Sequence, residues 1–536
     1  MLRLTEIRLP INHDENALYQ AVLNRLGINR VNLHRLSVYR RNYDARKKSA
    51  IMFSYSIDVE VDHEDTLLAQ FQKDPHIQKA PDMAYHFVAQ APHSAFNRPI
   101  IIGFGPCGIF AALILAQSGF NPIIIERGKP VRERTQDTFG FWRQRVLNPE
   151  SNVQFGEGGA GTFSDGKLHT QIRDPNHYGR KVLEEFVKAG APEEILYLGK
   201  PHIGTFKLVQ MVERLRKEII SLGGTFYFNR RVDDLLIQNN RITGIVLNNN
   251  QTLLSDHVLI APGHSARDTF EMLYRCGVSM EAKPFSVGFR IEHPQSLIDS
   301  CRLGPNAGNP LLGSADYKLV HHCKNGRTVY SFCMCPGGTV VAAASEPGRL
   351  VTNGMSQYSR NERNANAAIV VNVTPDDFPK NHPLAGIDFQ RDLEKKAFEL
   401  GGNNYNAPCQ RVGDFLKGKP STKLGKVIPS YQPGVTPCNL IDALPDFAIT
   451  ALREAILAFE RSIPGFSMED AILTGTETRT SSPVRIIRDR KSFESVSIKG
   501  LYPAGEGAGY AGGILSSAID GIEAAQAIAL SIVASV

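Results

Sequence analysis

Three glycines with the spacing of a dinucleotide-binding turn are the clearest chemical pattern in the chain. Gly103, Gly105 and Gly108 follow the apolar run 100–102, which is typical of a strand buried in a parallel sheet. In such a turn the first glycine closes the bend, the second lets a pyrophosphate approach the backbone, and the third lets a helix pack on the strand. The helix predicted from Pro106 would point its free N–H groups at the phosphates. These residues therefore predict a phosphate-binding turn.

An acid that follows the turn, and two further copies of the glycine pattern, show which copy has the full context of a dinucleotide site. Glu126 ends a second apolar run, 123–125, at the place where a carboxylate accepts hydrogen bonds from ribose hydroxyls. The glycine spacing recurs at 156–161, where no apolar strand precedes it, and at 507–512, where no second strand and acid follow. We therefore predict one complete dinucleotide site, at the first copy.

Two closely spaced cysteines suggest redox chemistry as a further possibility. Cys333 and Cys335 lie two apart on a predicted strand, which places them on one face. A disulfide between positions i and i+2 would be strained, so packing is favoured over a redox-active thiol. Cys107 begins a helix, which would lower its pKa, but a phosphate at the same place opposes a thiolate and also favours packing.

Several charged side chains lie in segments that we expect near a bound cofactor. Glu477, Arg479 and Arg485 shortly precede the C-terminal glycine run, and burial beside a cofactor is favoured over an exposed β-ribbon. The remaining candidates are Arg290, Glu292 and His293 on an alternating strand, and Lys167 and His169 in a glycine-rich loop. A structural role is favoured for His293 over proton transfer. No catalytic residue is assigned.

Composition describes an ordinary globular protein. The 536 residues are 42% hydrophobic and 21% charged, with a net charge of +6, and predict two to four domains. The sequence contains no apolar run of 18 residues and no signal-peptide pattern at its start, so we expect no membrane partner and a cytoplasmic location. Eight scattered cysteines suit reduced thiols, and we expect no metal site.

The elements that must position these residues predict an α/β protein of several parts. Residues 1–95 have the order β-α-β-β-α-β of a ferredoxin-like domain, with the last strand at 84–88. Residues 96–283 are predicted to be the first part of a Rossmann-like dinucleotide-binding domain with a parallel sheet, and residues 471–536 its C-terminal part. The β-rich α+β segment 284–470 is predicted to be an inserted substrate or cap domain.

A basic stretch in the first domain leaves two interpretations open. Between Arg25 and Lys48 there are eight Lys or Arg residues and one acid, Asp44. The stretch could dock RNA or another anionic partner, or form a solvated hairpin face. The second interpretation is favoured because the domain as a whole is nearly neutral.

Together these motifs resemble the glutathione-reductase-type FAD flavoproteins, and among them the bacterial NAD/FAD-utilising dehydrogenase family. The stretches that carry the likeness are 103–119, 158–168, 261–268, 333–338, 477–485 and 503–521. The resemblance implies that the glycine turn holds the pyrophosphate of FAD, that Glu126 and Arg127 hold the adenosine ribose, and that the segment 159–168 lines the flavin. The full implied set is Gly103, Gly105, Pro106, Cys107, Gly108, Glu126, Arg127, Gly159, Gly161, Thr162, Lys167, Leu168, Val232, Ala261, Gly263, Gly505, Glu506, Gly513 and Ile514. Glu506 stands where related flavoproteins usually have Asp.

The expected function is that of an FAD-dependent oxidoreductase. The flavin would transfer hydride to or from a small-molecule substrate, with NAD(P)H binding transiently or the substrate reducing the flavin directly. The alternatives are a flavin-containing RNA-associated protein that uses the basic stretch, and a flavin-binding scaffold without turnover. The sequence indicates neither the substrate nor the oligomeric state.

Overall fold

The computed structural model describes residues 1–170 and 172–535 and begins with a four-stranded antiparallel sheet. Its elements are β1 (Leu2–Pro10), α1 (Glu15–Leu26), β2 (Leu33–Asp44), β3 (Met52–Val61), α2 (Glu64–Gln70) and β4 (Ile77–Lys79). The strand order is β2-β3-β1-β4. Alternate residues of β3, from Phe53 to Val61, are buried, as period-two patterning requires. The element order agrees with the predicted β-α-β-β-α-β.

The last strand of this domain is not where the sequence placed it. Residues 81–99, all within the described part of the chain, form neither helix nor strand, so the strand predicted at 84–88 is wrong. Within this segment the ring of Tyr85 packs edge-on to that of Tyr178, 5.7 Å away, and its hydroxyl accepts a hydrogen bond from Gln526. The segment is fixed by these side-chain contacts with the next domain, while β4 completes the sheet earlier.

The second domain is built on a five-stranded parallel sheet. Its elements are β5 (Ile100–Ile102), α3 (Pro106–Gln117), β6 (Ile123–Ile125), α4 (Val131–Gln144), α5 (Tyr178–Lys188), α6 (Thr205–Ser221), β7 (Thr225–Tyr227), β8 (Val232–Gln238), β9 (Arg241–Leu247), β10 (Thr252–Leu254), β11 (Val258–Ile260), α7 (Arg267–Arg275) and β12 (Met280–Ala282). The sheet order β23-β11-β5-β6-β7 is that of a doubly wound fold, and β8, β9 and β10 form a separate antiparallel sheet. β23 (Leu501–Pro503) joins this sheet from the end of the chain, next to β11.

The inserted domain is organised by a seven-stranded sheet. Its elements are β13 (Phe285–Pro294), α8 (Gln295–Leu303), β14 (Val320–His322), β15 (Thr328–Cys335), β16 (Thr339–Ala342), β17 (Thr352–Met355), β18 (Asn364–Val373), α9 (Ala385–Leu400), β19 (Ala407–Arg411), α10 (Val412–Lys417), β20 (Val435–Pro437), α11 (Asp446–Phe459) and β21 (Ile472–Glu477). The sheet order is β14-β15-β18-β13-β21-β19-β20. Because β21 lies inside this sheet, the domain extends to Glu477 rather than ending at residue 470. The chain returns to the second domain with β22 (Val484–Ile486), which pairs with β12.

The chain closes with α12 (Ile514–Ser535), which packs against α3. α12 is long and apolar enough to cross a membrane, but 61% of its most apolar window is buried inside the protein. The two helices approach closely: a Cβ on Gly521 would lie 2.2 Å from the Cys107 carbonyl oxygen. α3 is buried on all sides, as expected for a helix between a sheet and neighbouring helices. This packing makes α12 a core helix of the second domain.

Candidate active site

A large cleft lies between the carboxyl ends of the parallel strands and the cap sheet. Its volume is about 1010 Å³, and it takes in residues that directly follow β5, β6, β11 and β23 as well as residues 330–334 of the cap. All but three of the implied FAD-binding residues line it; the exceptions are Gly108, Thr162 and Leu168. Thr162 and Leu168 are buried instead, at 1% exposure each. Ligands of doubly wound sheets bind at this edge.

The three glycines of the first motif have different structural roles. Gly103 has a φ of +93°, and a Cβ there would lie 2.3 Å from the carbonyl oxygen of Ala261. A Cβ on Gly108 would lie 1.9 Å from the Gly103 carbonyl oxygen. Both positions therefore require glycine for packing. Gly105 is different, because a Cβ there would meet only the Cα of Gly159, at 3.6 Å, and it is the N-cap of α3. The first turn of α3 begins at this open position, beside the cleft.

Glu126 joins three segments of the cleft wall. Its Oε2 accepts a hydrogen bond from the Phe104 amide at 2.9 Å. Its Oε1 accepts from the amides of Gly128, at 2.9 Å, and Gly156, at 3.1 Å. The acid thus fixes the loops after β5 and β6 and the glycine-rich loop. Its contact with a ribose stays a prediction.

Arg127 is held in a charged wall at the same end of the cleft. Its guanidinium makes a pair of 2.9 Å hydrogen bonds to Asp268 and one of 3.0 Å to Glu150. It also lies 4.0 Å from the centre of the Phe155 ring. These contacts fix the side chain as a flat surface that lines the cleft, as the buried Val232 also does.

A buried arginine that the sequence analysis missed holds the glycine-rich loop in place. Arg134, on α4, is 0% exposed and donates to the carbonyl oxygens of Asn152, Val153 and Glu157 at 2.7–2.8 Å. Burial lowers its pKa to about 10. Its position on an amphipathic helix gave no signal, because an arginine there normally faces solvent. Hydrogen bonds from the Arg134 side chain therefore order the start of this glycine-rich loop, which later forms a short 3-10 helix at Ala160–Phe163.

The C-terminal glycine run forms the opposite wall. The Gly505 amide donates to Asp520 at 2.6 Å, and Asp520 also pairs with Arg488 at 2.5 and 3.0 Å. A Cβ on Gly505 would meet that of Cys107 at 2.8 Å. Burial and the nearby Asp520 carboxylate raise the pKa of Cys107, so it stays a thiol at neutral pH, in keeping with a packing role.

Glu506 is the titratable group of this wall. It lines the cleft with 25% of its side chain exposed, and burial raises its pKa to about 7. The Nε2 of His264 lies 3.8 Å from its Oε1. Burial, together with the positive charge of Arg479, lowers the pKa of His264 to about 3, so this ring is neutral. Glu506 can therefore take up or release a proton near neutral pH.

On the cap side, the two cysteines do not share a face as predicted. The pairing of β15 with β18 shifts register between Phe332 and Cys335, and Cys333 has a φ of +43°. This bulge breaks the alternation on which the prediction rested. Cys333 lines the cleft, while Cys335 is 0% exposed. The Cys335 thiol and the Lys167 ammonium lower the pKa of Cys333 well below its usual range.

Buried ion pairs support this side of the cleft. Arg290 makes hydrogen bonds of 2.8 and 2.9 Å to the Glu477 carboxylate and one of 2.9 Å to the Cys333 carbonyl. Lys167 bonds to the Met334 carbonyl and lies 3.8 Å from Asp165. Since Glu477 and Lys167 line the cleft and Arg290 lies behind them, the bulge is fixed from both sides.

A second buried network ties the cap to the parallel-sheet domain. The carboxylate of Glu394 accepts two hydrogen bonds of 3.0 Å from Arg479, which lines the cleft. It also accepts from Arg267, at 2.6 and 2.9 Å. The two guanidinium groups hold the pKa of Glu394 well below its ordinary value. Burial of Glu477 and Arg479 beside the cleft agrees with the favoured interpretation.

Three other charged candidates lie outside the cleft lining. Glu292 accepts hydrogen bonds from Asn364 and Ser430 and is 0% exposed. His293 bonds through Nε2 to the Phe466 carbonyl at 2.7 Å, and burial lowers its pKa to about 4. These contacts support a structural role. Arg485 is 42% exposed, so its expected burial beside a cofactor is wrong.

Comparison with known proteins places the chain among its relatives. Residues 284–480 match the family described as "FAD-dependent protein, C-terminal domain-like", and residues 1–60 match a domain of unknown function, DUF8436. Over 529 residues the chain is 49% identical to a protein of Clostridium beijerinckii described as "Uncharacterized protein", with 98% of each chain covered. The family model that matches the cap therefore describes a domain of FAD-dependent proteins.

Solved structures show only distant similarity. The E. coli quinol fumarate reductase subunit FrdA is 12% identical with a TM-score of 0.36, covering 82% of this chain and 71% of its own. An L-amino acid deaminase from Proteus myxofaciens is 12% identical with a TM-score of 0.36, covering 83% and 93%. CtdE in complex with FAD is 12% identical with a TM-score of 0.32, covering 81% and 84%. These values indicate distant similarity and assign no function to the chain. The family match over residues 284–480 does not support the RNA-associated alternative.

Proposed function

We propose that this chain is an FAD-dependent oxidoreductase acting on a small molecule, because it belongs to the family of the Clostridium beijerinckii protein and its residues 284–480 match the model described as "FAD-dependent protein, C-terminal domain-like". The observation that carries the proposal is the large cleft, whose wall is formed partly by glycine turns and partly by the cap. The first part suits a dinucleotide, and the second part encloses space for a substrate beside it.

The residues present fit FAD. Gly105 leaves open space where α3 begins, as a bound pyrophosphate requires. The charged wall at Arg127 and Glu126 ends the cleft where an adenosine would lie, and Gly512 and Gly513 line it at the start of α12. We infer that the first turn of α3 binds the phosphates and that the first turn of α12 faces the flavin ring. When bound, FAD supplies hydride and electron transfer.

The protein's own part in the reaction is binding, positioning and proton transfer. The cap forms one wall of the cleft, through residues 330–334. Glu506 is proposed to hold or release a proton at its carboxylate, since its pKa of about 7 allows both states. Arg479, held by Glu394 and by the Ser345 hydroxyl at 2.6 Å, is proposed to face the substrate. The hydride donor is NAD(P)H bound transiently or the substrate itself.

The proposal is tested with purified protein under anaerobic conditions. Flavin content is measured from the visible spectrum, before and after reconstitution with FAD. The loaded protein is then mixed with NADH, with NADPH and with dithionite in separate cuvettes, and bleaching of the flavin bands is followed. A set of small metabolites is tested in the same way. Bleaching by a pyridine nucleotide or by one of these metabolites supports an oxidoreductase. Bleaching by dithionite alone favours a flavin-binding scaffold, and protein that holds no FAD contradicts the proposal.

A further inference from the structure

Three side chains of metal-binding type meet at the outer edge of the cap, away from the cleft lining. His321 lies on the edge strand β14, Cys323 in the turn that follows it, and Glu454 on α11. One ligand atom from each lies within 4.8 Å of the other two. The His321 Nε2 and a Glu454 carboxylate oxygen are 3.1 Å apart. The group thus joins a sheet edge to the helix packed beside it.

The geometry is close to that of a tetrahedral zinc site. Bonds of about 2.0 Å to nitrogen and oxygen and 2.3 Å to sulfur place the ligand atoms of such a site about 3.3–3.8 Å apart. The histidine and glutamate atoms already lie near this separation, and the sulfur lies within 4.8 Å of both. A nitrogen, a sulfur and an oxygen donor are the mixed set that Zn²⁺ accepts, with water in the fourth position.

The surroundings keep the three donors in place. The Lys324 amide donates to both oxygens of Glu454 at 3.2 Å, and His321 lowers the pKa of this carboxyl, so it is ionised. The Cys323 sulfur has only a 3.5 Å contact to the Ala451 carbonyl, one turn before Glu454. A metal ion would take the place of the proton on the Cys323 sulfur when it binds.

We propose that His321, Cys323 and Glu454 bind one Zn²⁺, which fastens the edge hairpin of the cap to α11. No metal site is predicted from the sequence. More than a hundred residues separate Glu454 from His321 and Cys323, and the three side chains meet only in the folded chain. The inference stands independently of the proposed redox function.

The test uses the full chain, freed of metal with a chelator and titrated with Co²⁺ and then Zn²⁺. Expected are one metal per chain, a thiolate-to-cobalt absorption band in the near ultraviolet, and its loss when Zn²⁺ is added. Cys323→Ser removes the band and weakens Zn²⁺ binding about a hundredfold, and Glu454→Gln weakens it about tenfold. Zn²⁺ also raises the melting temperature of the wild type and not of Cys323→Ser.

Matched variants separate the site from accidental metal binding. His322→Ala changes the neighbouring histidine, whose ring bonds to Thr328, and is expected to leave the band and the affinity unchanged. Cys301→Ser controls for a partly exposed thiol elsewhere in the cap. Should Cys323→Ser fail to fold, Glu454→Gln, changed at a side chain that is 28% exposed, carries the test. Absence of the band in wild-type protein, or a band that persists in Cys323→Ser, overturns the proposal.

Discussion

The two halves of the cleft are built in different ways. On the nucleotide half the wall is mostly backbone: Gly103, Gly108 and Gly159 let chain segments approach closely, and Glu126 ties the loops together through amide groups. On the cap half the wall is made of side-chain charges, such as Arg479, that are buried in paired networks. An added side-chain atom would clash with neighbouring backbone in the first half, and loss of an ion-pair partner would leave a buried charge unpaired in the second. We therefore expect the two halves to fail under different substitutions.

Glu394→Gln should give the largest effect on the cap half. It leaves the buried guanidinium groups of Arg267 and Arg479 without their shared carboxylate. Removing one partner from a buried ion pair costs about 3–5 kcal/mol. Urea denaturation should show this loss. Asp388→Asn on the same helix, where the pair with Lys380 is largely exposed, is the matched control and should leave the midpoint unchanged. A loss of less than about 1 kcal/mol in the free energy of unfolding of Glu394→Gln would contradict a stabilising role for this network.

Gly108→Ala should give the next largest effect, on the nucleotide half. The new Cβ would lie 1.9 Å from the Gly103 carbonyl oxygen, so the turn and α3 must separate. Overpacking of this kind costs about 3 kcal/mol, and FAD affinity should fall with it. Gly140→Ala, in α4, has nothing within 4 Å of the added atom and should keep both stability and FAD binding. Equal behaviour of the two variants would contradict the packing argument.

Glu506→Gln tests where the two halves meet. Its pKa of about 7, against an ordinary 4.5, means that the folded protein binds more protons than the unfolded chain between these pH values. The free energy of unfolding should therefore fall as pH rises through this window, by about 1–2 kcal/mol for a partly solvated side chain. Stability curves from pH 4.5 to 8 should lose this slope in Glu506→Gln. An unchanged slope would show that Glu506 titrates normally.

Cys333 offers the smallest and most local test of the cap half. Its lowered pKa predicts alkylation by iodoacetamide at pH 7.5 at least about tenfold faster than that of Cys276, another partly exposed thiol, whose pKa burial raises to about 11. Lys167→Met should slow the reaction, and saturation with FAD should slow it further. Peptide mass spectrometry after timed quenching gives both rates. Equal rates would place Cys333 outside the charged environment described.

The same contrast explains what the sequence could predict. The turn at Gly103–Gly108 is local, so spacing alone indicated its place and its use of glycine. The Arg267–Glu394–Arg479 network joins residues that are far apart in the chain, and no local pattern indicates it. Period-two reasoning failed at Cys333 because a bulge depends on the partner strand. The end of the cap was misplaced because β21 reads as a strand in either domain until its pairing is known.

The most direct test of the central claim compares FAD with FMN. If the backbone half binds an adenosine diphosphate group, apo-protein should bind one FAD per chain at least about a hundredfold more tightly than FMN, which lacks the adenylate. Quenching of flavin fluorescence during titration measures both affinities, with Gly108→Ala and Gly140→Ala alongside. Tight FAD binding that Gly108→Ala removes and Gly140→Ala keeps is the predicted result. Equal affinity for FAD and FMN, or no binding of FAD, would contradict the account.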